Sequence, residues 1–205
     1  MPPFFRLLDL SIPIFEQLRL EEALLRTSED NWCIINRNSP PAIVMGISGK
    51  VAELVDVEKA EKASIGIIRR FSGGGTVVVD PQTLFVTFIC NQQEVIKKNA
   101  YAEDILRWAV PHFPLVSLQE NDFVIGEKKC AGNALYIQKN RWLIHTSFLW
   151  NWDKKLMDIL LIPSQMPLYR KKRGHEDFLI ALSSHWENRE DWIQQVKQKL
   201  IALMT

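Results

Sequence analysis

The chain has 205 residues, and at about 150 residues per domain a single domain is the simplest expectation. Hydrophobic residues make up 47% and charged residues 24%, which is the balance of a folded protein with an apolar core and argues against intrinsic disorder. The 25 Lys and Arg and 24 Asp and Glu residues leave a formal charge of +1, so a nucleic-acid partner is not expected and any anion site must be local.

Cysteine usage and the amino terminus indicate where the protein works. Cys33, Cys90 and Cys130 are odd in number and far apart, as expected of reduced thiols in a cytosolic protein. The first fifteen residues include Arg6 and Asp9 among their apolar residues, so a secretory signal is not expected. No stretch approaches the roughly 20 apolar residues of a membrane span. We therefore predict a cytoplasmic protein without a membrane partner.

Apolar periodicity predicts the secondary structure in chain order. Between Ile14 and Arg26 apolar residues recur every three or four positions, separated by polar residues that include Gln17 and Glu21, and this pattern predicts an amphipathic helix. Further helices are predicted at Val57–Lys62, at Glu94–His112, from Asp153 and from about Asn188 to Met204. Strands are predicted at Trp32–Ile35, Ala42–Met45, Ile65–Ile68, Thr76–Val79, Leu84–Cys90, Val116–Leu118, Phe123–Ile125, Lys129–Ala131, Leu135–Gln138 and Trp142–Phe148.

The order of these elements predicts an α+β fold in which a mixed or antiparallel sheet is flanked by helices, all in one domain spanning residues 1–205. The first two strands are expected in one sheet, and the next three are expected to form a meander. A basic, proline-containing connector is expected from Pro163 to Arg173, between the helix that begins near Asp153 and the terminal helix.

The segment Arg69–Thr76 reads RRFSGGGT and carries the main chemical signal. Glycine has no Cβ to keep a ligand away from backbone N–H groups, and it permits turns that direct several N–H groups at one anion. The composition therefore favours an anionic ligand, although a plain hairpin turn has the same appearance. The spacing of these glycines fits neither a Walker loop nor a GxGxxG dinucleotide fingerprint.

This segment resembles the RRxSGGG motif of lipoate-protein ligases, which belong to the biotin and lipoate ligase superfamily. Further segments resemble motifs of the same family, in the same order: Leu18–Glu22, Pro41–Gly46, Glu120–Val124, Gly126–Ala134 and His145–Leu149. The resemblance implies the α+β catalytic domain of these ligases, which is similar to that of class II synthetases. It also implies a two-step reaction on one site.

In the reaction that the resemblance implies, ATP activates lipoate as lipoyl-AMP with the help of Mg²⁺, and pyrophosphate leaves. The lipoyl group then passes to a lysine of a lipoyl carrier domain, of the 2-oxoacid dehydrogenase E2 or glycine cleavage H protein type. The chemistry is reasonable because a carboxylate is a poor electrophile at neutral pH, whereas its mixed anhydride with AMP has a good leaving group.

The resemblance also implies roles for single residues. Lys129 is the expected catalytic residue, a fixed cation near the carbonyl and α-phosphate oxygens on which negative charge grows. The expected substrate-binding residues are Arg70, Ser72, Gly73, Gly74, Gly75 and His145. The expected nucleotide-binding residues are Val77, Val78, Asn121 and Asp122, and Asp122 is also the expected Mg²⁺ ligand. For His145, a satisfied core histidine is the open alternative.

Three departures from the family pattern concern ligand preference and partners. Val79 stands where family members usually carry histidine. Ile47–Lys50 replaces a segment that usually contains arginine, so Lys50 is a candidate substitute. The family's two-domain members add a carboxy-terminal accessory domain, which we do not expect in this chain. A separate accessory subunit is therefore a candidate partner.

Two other functions stay open. Related octanoyl- and lipoyl-transferases hold the acyl group on a cysteine, and Cys130 directly follows Lys129. Neighbouring side chains on a strand face opposite ways, so these two form a close pair only if the strand is bulged. The second alternative is a noncatalytic protein that binds lipoate or its adenylate.

Overall fold

A computed structural model describes residues 5–96, 100–164 and 166–204. The ten strands in these ranges are β1 (Phe5–Leu10), β2 (Asn31–Asn36), β3 (Ala42–Met45), β4 (Ile67–Arg69), β5 (Val77–Val79), β6 (Thr83–Asn91), β7 (Ser117–Gln119), β8 (Asp122–Ile125), β9 (Lys128–Ile137) and β10 (Arg141–Leu149). The α-helices are α1 (Ile14–Thr27), α2 (Val51–Leu54), α3 (Val57–Lys62), α4 (Gln92–Val95), α5 (Ala102–Ala109), α6 (Lys154–Met157), α7 (His175–Phe178) and α8 (Arg189–Met204). Short 3₁₀ turns lie at Val110–His112, Leu168–Arg170 and Leu182–Ser184.

The strands form two sheets. The larger sheet has seven strands in the order β1-β2-β6-β10-β9-β8-β7, and the smaller has three in the order β4-β3-β5. In the larger sheet β1 and β2 are parallel and all other neighbours are antiparallel. The predicted α+β architecture, a mixed sheet flanked by helices, is confirmed.

The expected distribution of strands between sheets was wrong. The strands β2 and β3 lie in different sheets, because β2 pairs with β6 whereas β3 pairs with β4 and β5. No meander forms, since β4 and β5 lie on opposite sides of β3 and β6 belongs to the larger sheet. Local sequence patterns predict a strand but not which strand will be its neighbour. The observed pairing places the glycine segment between β4 and β5, at the junction of the two sheets.

Several predicted boundaries also differ. The strands expected at Lys129–Ala131 and Leu135–Gln138 are one strand, β9, and β1 was not predicted. The helix expected at Glu94–His112 is divided into α4, α5 and a 3₁₀ turn, and residues 97–99 lie outside the described ranges. The Asp104 carboxylate accepts a hydrogen bond from the Tyr101 backbone N–H at 3.1 Å, which starts a new helix at residue 102.

The core lies on both sides of the larger sheet. In β6 and β10, eight of nine residues in each strand are buried, because helices and loops cover both faces. On one face Trp192 of α8 packs edge-on against Phe148, with ring centroids 4.8 Å apart, and is stacked on Phe113. On the other face α1 is buried through Ile14, Leu18 and Leu25.

The polar residues Gln17 and Glu21 of α1 are also fully buried, which the amphipathic pattern did not predict. Gln17 lies three positions after Ile14, and Glu21 lies three after Leu18 and four before Leu25, so both share the apolar stripe. Among the described residues, no helix is both long and apolar enough to cross a membrane.

The docking of α8 onto the sheet gives a stability prediction. Trp192→Ala should lower the free energy of unfolding by about 3–5 kcal/mol, because it leaves a cavity between buried aromatic rings. Ile201→Ala, on the same helix but at a position that is 55% exposed, should change it by less than about 0.5 kcal/mol. Urea unfolding followed by circular dichroism measures both, and similar midpoints for the two variants would contradict this packing.

Candidate active site

The glycine loop, residues 70–76, runs from β4 to β5 and is held close to neighbouring backbone. Gly74 has φ +107°, a value that residues with a side chain rarely adopt. A Cβ at Gly74 would lie 2.8 Å from the Asn133 carbonyl oxygen, and one at Gly46 would lie 2.2 Å from the Gly74 carbonyl oxygen. Gly46 and Gly74 are therefore required by the approach of this loop to neighbouring backbone.

Arg70 holds the loop from within. Its guanidinium donates hydrogen bonds to the Gly75 carbonyl at 2.7 Å and to the Gly73 carbonyl at 3.1 Å, and a longer one to Val44. Burial lowers the pKa of Arg70 to about 10, an effect partly offset by the negative charge of Glu21. The side chain therefore remains charged at neutral pH, and its positive charge neutralises the carbonyl dipoles of the loop.

Two hydroxyl groups in the loop have their hydrogen-bonding capacity free. The side-chain oxygens of Ser72 and Thr76 are buried and make no hydrogen bond with any residue that the structure describes. An unsatisfied buried hydroxyl is costly, so Thr76, which lines both cavities, is a candidate ligand contact. Thr76 was not among the predicted site residues, although it closes the RRFSGGGT segment.

Lys129, on β9, forms an ion pair with Asp122 at the start of β8. The Lys129 ammonium lies 2.7 Å from Asp122 Oδ1, and Tyr169 donates its phenolic O–H to Asp122 Oδ2 at 2.9 Å. Burial, and next the negative charge of Asp122, raise the pKa of Tyr169, so this phenol stays a proton donor at neutral pH. The ion pair thus fixes the direction of the Lys129 ammonium, because the Asp122 carboxylate is itself held by Tyr169.

Glu120 ties the connector, here defined as residues 161–164 and 166–174, to the same corner of the sheet. Its carboxylate accepts hydrogen bonds from the backbone N–H groups of Leu168 and Tyr169, at 3.3 and 3.0 Å. The connector thereby brings Tyr169 and Arg170 to β8 and β9. The sequence predicted only a basic connector here, and no family motif included either residue.

Two cavities meet at Lys129. The glycine cavity, of about 470 Å³, lies beside the glycine loop, and the connector cavity, of about 490 Å³, lies beside the connector. Both are lined by Gly75, Thr76, Val77, Asn121, Asp122, Lys129, Gly132 and Ser147. The connector cavity is further lined mainly by apolar groups and by Arg170. The glycine cavity is further lined by Val44, Arg70, Gly74, Val79, Phe85, Asn133, Ala134 and His145.

A buried polar network borders the glycine cavity. His145 Nδ1 lies 2.9 Å from the Glu21 carboxylate, and the Thr87 hydroxyl donates to the same carboxylate at 2.6 Å. Gln17 donates to Glu21 at 2.7 Å and accepts from Asn36 at 2.7 Å. His145 is therefore satisfied by core partners and also lines the glycine cavity, and its contact with a ligand stays a prediction.

Cys130 is directed into the core. The pairing of β8 with β9 changes register between Phe123–Ala131 and Val124–Lys129, so Cys130 is the extra residue of a β-bulge. Its thiol is fully buried and lies 3.3 Å from the Phe123 carbonyl oxygen. Burial raises the pKa of Cys130 to about 12, and burial also raises the pKa of Cys33. Cys130 lines neither cavity, which disfavours a thioester at this position.

Most of the predicted site residues are brought together by the fold. Gly75, Val77, Asn121, Asp122 and Lys129 line both cavities. Arg70, Gly74 and His145 line the glycine cavity and Val78 the connector cavity, whereas Ser72 and Gly73 are in the lining of neither. The backbone N–H of Gly73 instead donates to the Leu135 carbonyl. Lys50 is on the exposed surface, paired with Glu53, and lines neither cavity.

The fit of a metal ion depends on Asp122. Within residues 5–96, 100–164 and 166–204 no three His, Cys, Asp or Glu side chains are grouped as they would be in a protein-only metal site. A carboxylate can accept about four hydrogen bonds or ligands, and Asp122 uses two positions for Lys129 and Tyr169. Mg²⁺ is commonly held by one or two carboxylates and the phosphates of a nucleotide, so Asp122 fits this kind of binding.

Residues 13–205 match the family model described as the lipoyl protein ligase A/B catalytic domain. The chain belongs to this family. It is 29% identical over 82% of its length to the "Inactive lipoate--protein ligase 2" of Plasmodium falciparum, and 30% identical over 77% to the "Putative lipoate-protein ligase A" of Aeropyrum pernix. It spans about 60% of the length of each of these two relatives.

Solved structures of lipoate ligases have the same fold. A lipoate-protein ligase A bound with ATP superposes with a TM-score of 0.77 at 19% identity, over 98% of this chain and 85% of that one. LipL1 of P. falciparum in complex with lipoate gives 0.74 at 20% identity, over 97% and 62%. A bipartite lipoate protein ligase from Thermoplasma acidophilum, described with its E2 lipoyl domain, gives 0.75 at 19%, over 98% and 84%.

The φ of Gly74 gives a prediction about the loop of this ligase-family domain. Gly74→Ala should lower the free energy of unfolding by about 1–3 kcal/mol, since alanine is strained at this φ and its Cβ meets β9. Gly66→Ala is the matched control, because a Cβ there meets no atom within 4 Å. Thermal unfolding measures both, and an equally stable Gly74→Ala variant would show that the loop adopts another conformation.

The buried thiol of Cys130 gives a second prediction. With a pKa of about 12, roughly one Cys130 side chain in ten thousand is ionised at pH 8. Ellman's reagent should therefore label the native protein far more slowly than the protein unfolded in urea. Fast labelling of the native protein that disappears in a Cys130→Ser variant would instead identify an accessible, reactive Cys130.

Proposed function

We propose that this chain is an ATP-dependent lipoate-protein ligase. It would convert lipoate to lipoyl-AMP and transfer the lipoyl group to a lysine of a lipoyl carrier domain. The single observation that carries the proposal is the position of Lys129, whose ammonium lines both the glycine cavity and the connector cavity. A reaction that joins an acid to a nucleotide needs a cation at the junction of two binding spaces.

The acyl group is proposed to occupy the glycine cavity. Val44, Val79, Phe85 and Ala134 contribute apolar surface there, which suits a hydrocarbon chain. Gly74 and Gly75 leave room for it, and His145 lies on the same lining. Arg70 is proposed to act by holding the loop, because its guanidinium already donates to loop carbonyls. Ser72 and Gly73 would contribute by shaping the loop behind this lining.

The nucleotide is proposed to occupy the connector cavity. Val77 and Val78 line this space together with Leu149 and Met157, and these groups offer apolar surface to a purine base. Asn121 and Asp122 lie beside Lys129, where the phosphates of such a nucleotide would come close to the ammonium. Mg²⁺ bound with the nucleotide would reduce the charge repulsion between phosphates, and Asp122 is the residue proposed to hold it.

In the first step, a lipoate carboxylate oxygen attacks the α-phosphorus of ATP and the bond to the pyrophosphate oxygen breaks. In the second step, the carrier lysine amine attacks the carbonyl carbon, AMP leaves with the bonding electrons and the amine loses a proton. Negative charge increases on the α-phosphate and carbonyl oxygens in turn. Lys129 would stabilise both, since its ammonium is fixed beforehand by Asp122 and does not have to reorganise.

The proposed partners and cellular location rest on the family. The T. acidophilum structure pairs a bipartite ligase with an E2 lipoyl domain, and this supports a lipoyl carrier domain and a separate accessory subunit as partners here. A carrier of the E2 or H protein type would present its lysine to the opening of the connector cavity. The cytoplasmic location predicted from the sequence stays a prediction.

A noncatalytic lipoate-binding protein is the second candidate. It is favoured by the 29% identity to a P. falciparum protein that is named an inactive ligase. Such a protein would keep the glycine cavity and release no pyrophosphate. The position and ion pair of Lys129 favour catalysis, because a mere lipoate binder needs no oriented cation at the junction with a second cavity.

The proposal predicts that the protein releases pyrophosphate from ATP only when lipoate is present. Lys129→Ala should lower this rate 100-fold or more, since the loss of one oriented donor costs about 3 kcal/mol of transition-state stabilisation. Lys128→Ala removes the same charge from the exposed neighbouring position and should retain the rate. Enzyme-coupled detection of pyrophosphate measures all three proteins.

The outcomes separate the candidates. Lipoate binding without lipoate-dependent pyrophosphate release by the unmodified protein would favour the noncatalytic binder. ATP-independent transfer of an acyl group that is lost in Cys130→Ser would favour the cysteine transferase. Equal rates for Lys129→Ala and the unmodified protein would refute the proposed role of Lys129.

A further inference from the structure

Arg170 is a buried cation on the connector that the sequence motifs do not include. It lies in the 3₁₀ turn Leu168–Arg170, and only 5% of its surface is exposed. Its guanidinium packs over the ring of Phe178, with the central carbon 4.7 Å from the ring centroid, and its Nε donates to the Arg173 carbonyl at 3.0 Å. The orientation of the group is therefore fixed by two contacts.

One end of this guanidinium is unsatisfied. Arg170 Nη2 is buried and makes no hydrogen bond with any residue in the described ranges, and Arg170 lines the connector cavity. A buried cationic N–H group without an acceptor is costly, and burial lowers the pKa of Arg170. This unsatisfied group lies at the cavity that Lys129 also lines, and an anionic ligand would supply the missing hydrogen-bond acceptor.

The charges around the connector cavity leave Arg170 as the cation least compensated by neighbours. The charge of Lys129 is balanced by Asp122 at 2.7 Å. The Glu120 carboxylate is engaged by the N–H groups of Leu168 and Tyr169. Asp122 also attracts Arg170, although its carboxylate oxygens contact Lys129 and Tyr169. Burial and the charge of Arg170 lower the pKa of His175, which makes this side chain neutral at pH 7.

We propose that Arg170 is a phosphate-binding residue, which donates a hydrogen bond through Nη2 to a phosphate oxygen of the nucleotide in the connector cavity. The inference rests on the proposed function in taking that nucleotide to be ATP. A guanidinium suits this role because it is always charged at neutral pH and presents several donors to phosphate oxygens in a fixed plane. Arg170 would supply a second cation, separate from the Lys129–Asp122 pair.

The test compares Arg170→Gln with Lys172→Gln, which removes the same charge from an exposed position two residues away. Isothermal titration calorimetry measures the affinity of each folded protein for ATP. Arg170→Gln should weaken ATP binding roughly tenfold to a hundredfold, because it removes a hydrogen bond between charged groups. Arg170→Lys should restore part of the affinity, and Lys172→Gln should stay within twofold of the unmodified protein.

A second measurement does not depend on the stability of the variants. In the unmodified protein, the assigned Arg170 Nε–Hε NMR signal should shift when ATP or inorganic pyrophosphate is added, and it should shift less with adenosine, which has no phosphate. An unchanged signal at saturating ATP would overturn the inference. An Arg170→Gln protein that binds ATP within twofold of the unmodified protein, or an unmodified protein that binds no ATP, would overturn it as well.

Failure of this inference and failure of the proposed function give different results. Lipoate-dependent pyrophosphate release with ATP affinity independent of Arg170 would refute only the role of Arg170. ATP binding that depends on Arg170, without any lipoate-dependent pyrophosphate release, would support the phosphate site and refute the ligase.

Discussion

The ion pair between Lys129 and Asp122 is the interaction on which the rest of the site depends. It joins two neighbouring strands, β8 and β9, at the place where their register changes, and Tyr169 connects it to the connector. Without the carboxylate, the half-buried ammonium would be free to turn toward water. With Asp122 in place, the charge stays at the junction of the two cavities, where the proposed chemistry needs it.

A second buried charge system organises the other side of the glycine cavity. Glu21 accepts hydrogen bonds from Gln17 and Thr87 and lies beside His145, so one carboxylate joins α1 to the two central strands β6 and β10. The negative charge of Glu21 also favours the charged form of Arg70, which holds the glycine loop. The conformation of the glycine loop is thus coupled to α1. Removal of any one of these buried polar side chains would leave its partners without a hydrogen bond or counter-charge.

The sequence identified the residues that line the site better than the contacts that assemble it. Helix α1, the RRFSGGGT segment and Lys129 could be identified because local periodicity and a family motif mark them. Glu21 could have been noticed, since it interrupts an apolar stripe at the spacing of Leu18 and Leu25. No family motif includes Tyr169 or Arg170, because the connector reaches the site through contacts with Glu120 and Asp122, about 50 residues away. The pairing of β3 with β4 and β5 was equally nonlocal.

A site lysine and an inert cysteine lie side by side on β9, and the bulge there does not bring their side chains together. On a regular strand Lys129 and Cys130 would face opposite sides. The bulge adds a residue to β9, yet Cys130 still faces the core while Lys129 lines both cavities. A thiol whose pKa is raised to about 12 is a poor nucleophile at neutral pH. The proposed activation of an acid at this site therefore relies on a phosphoanhydride, which the cations Lys129 and Arg170 would orient.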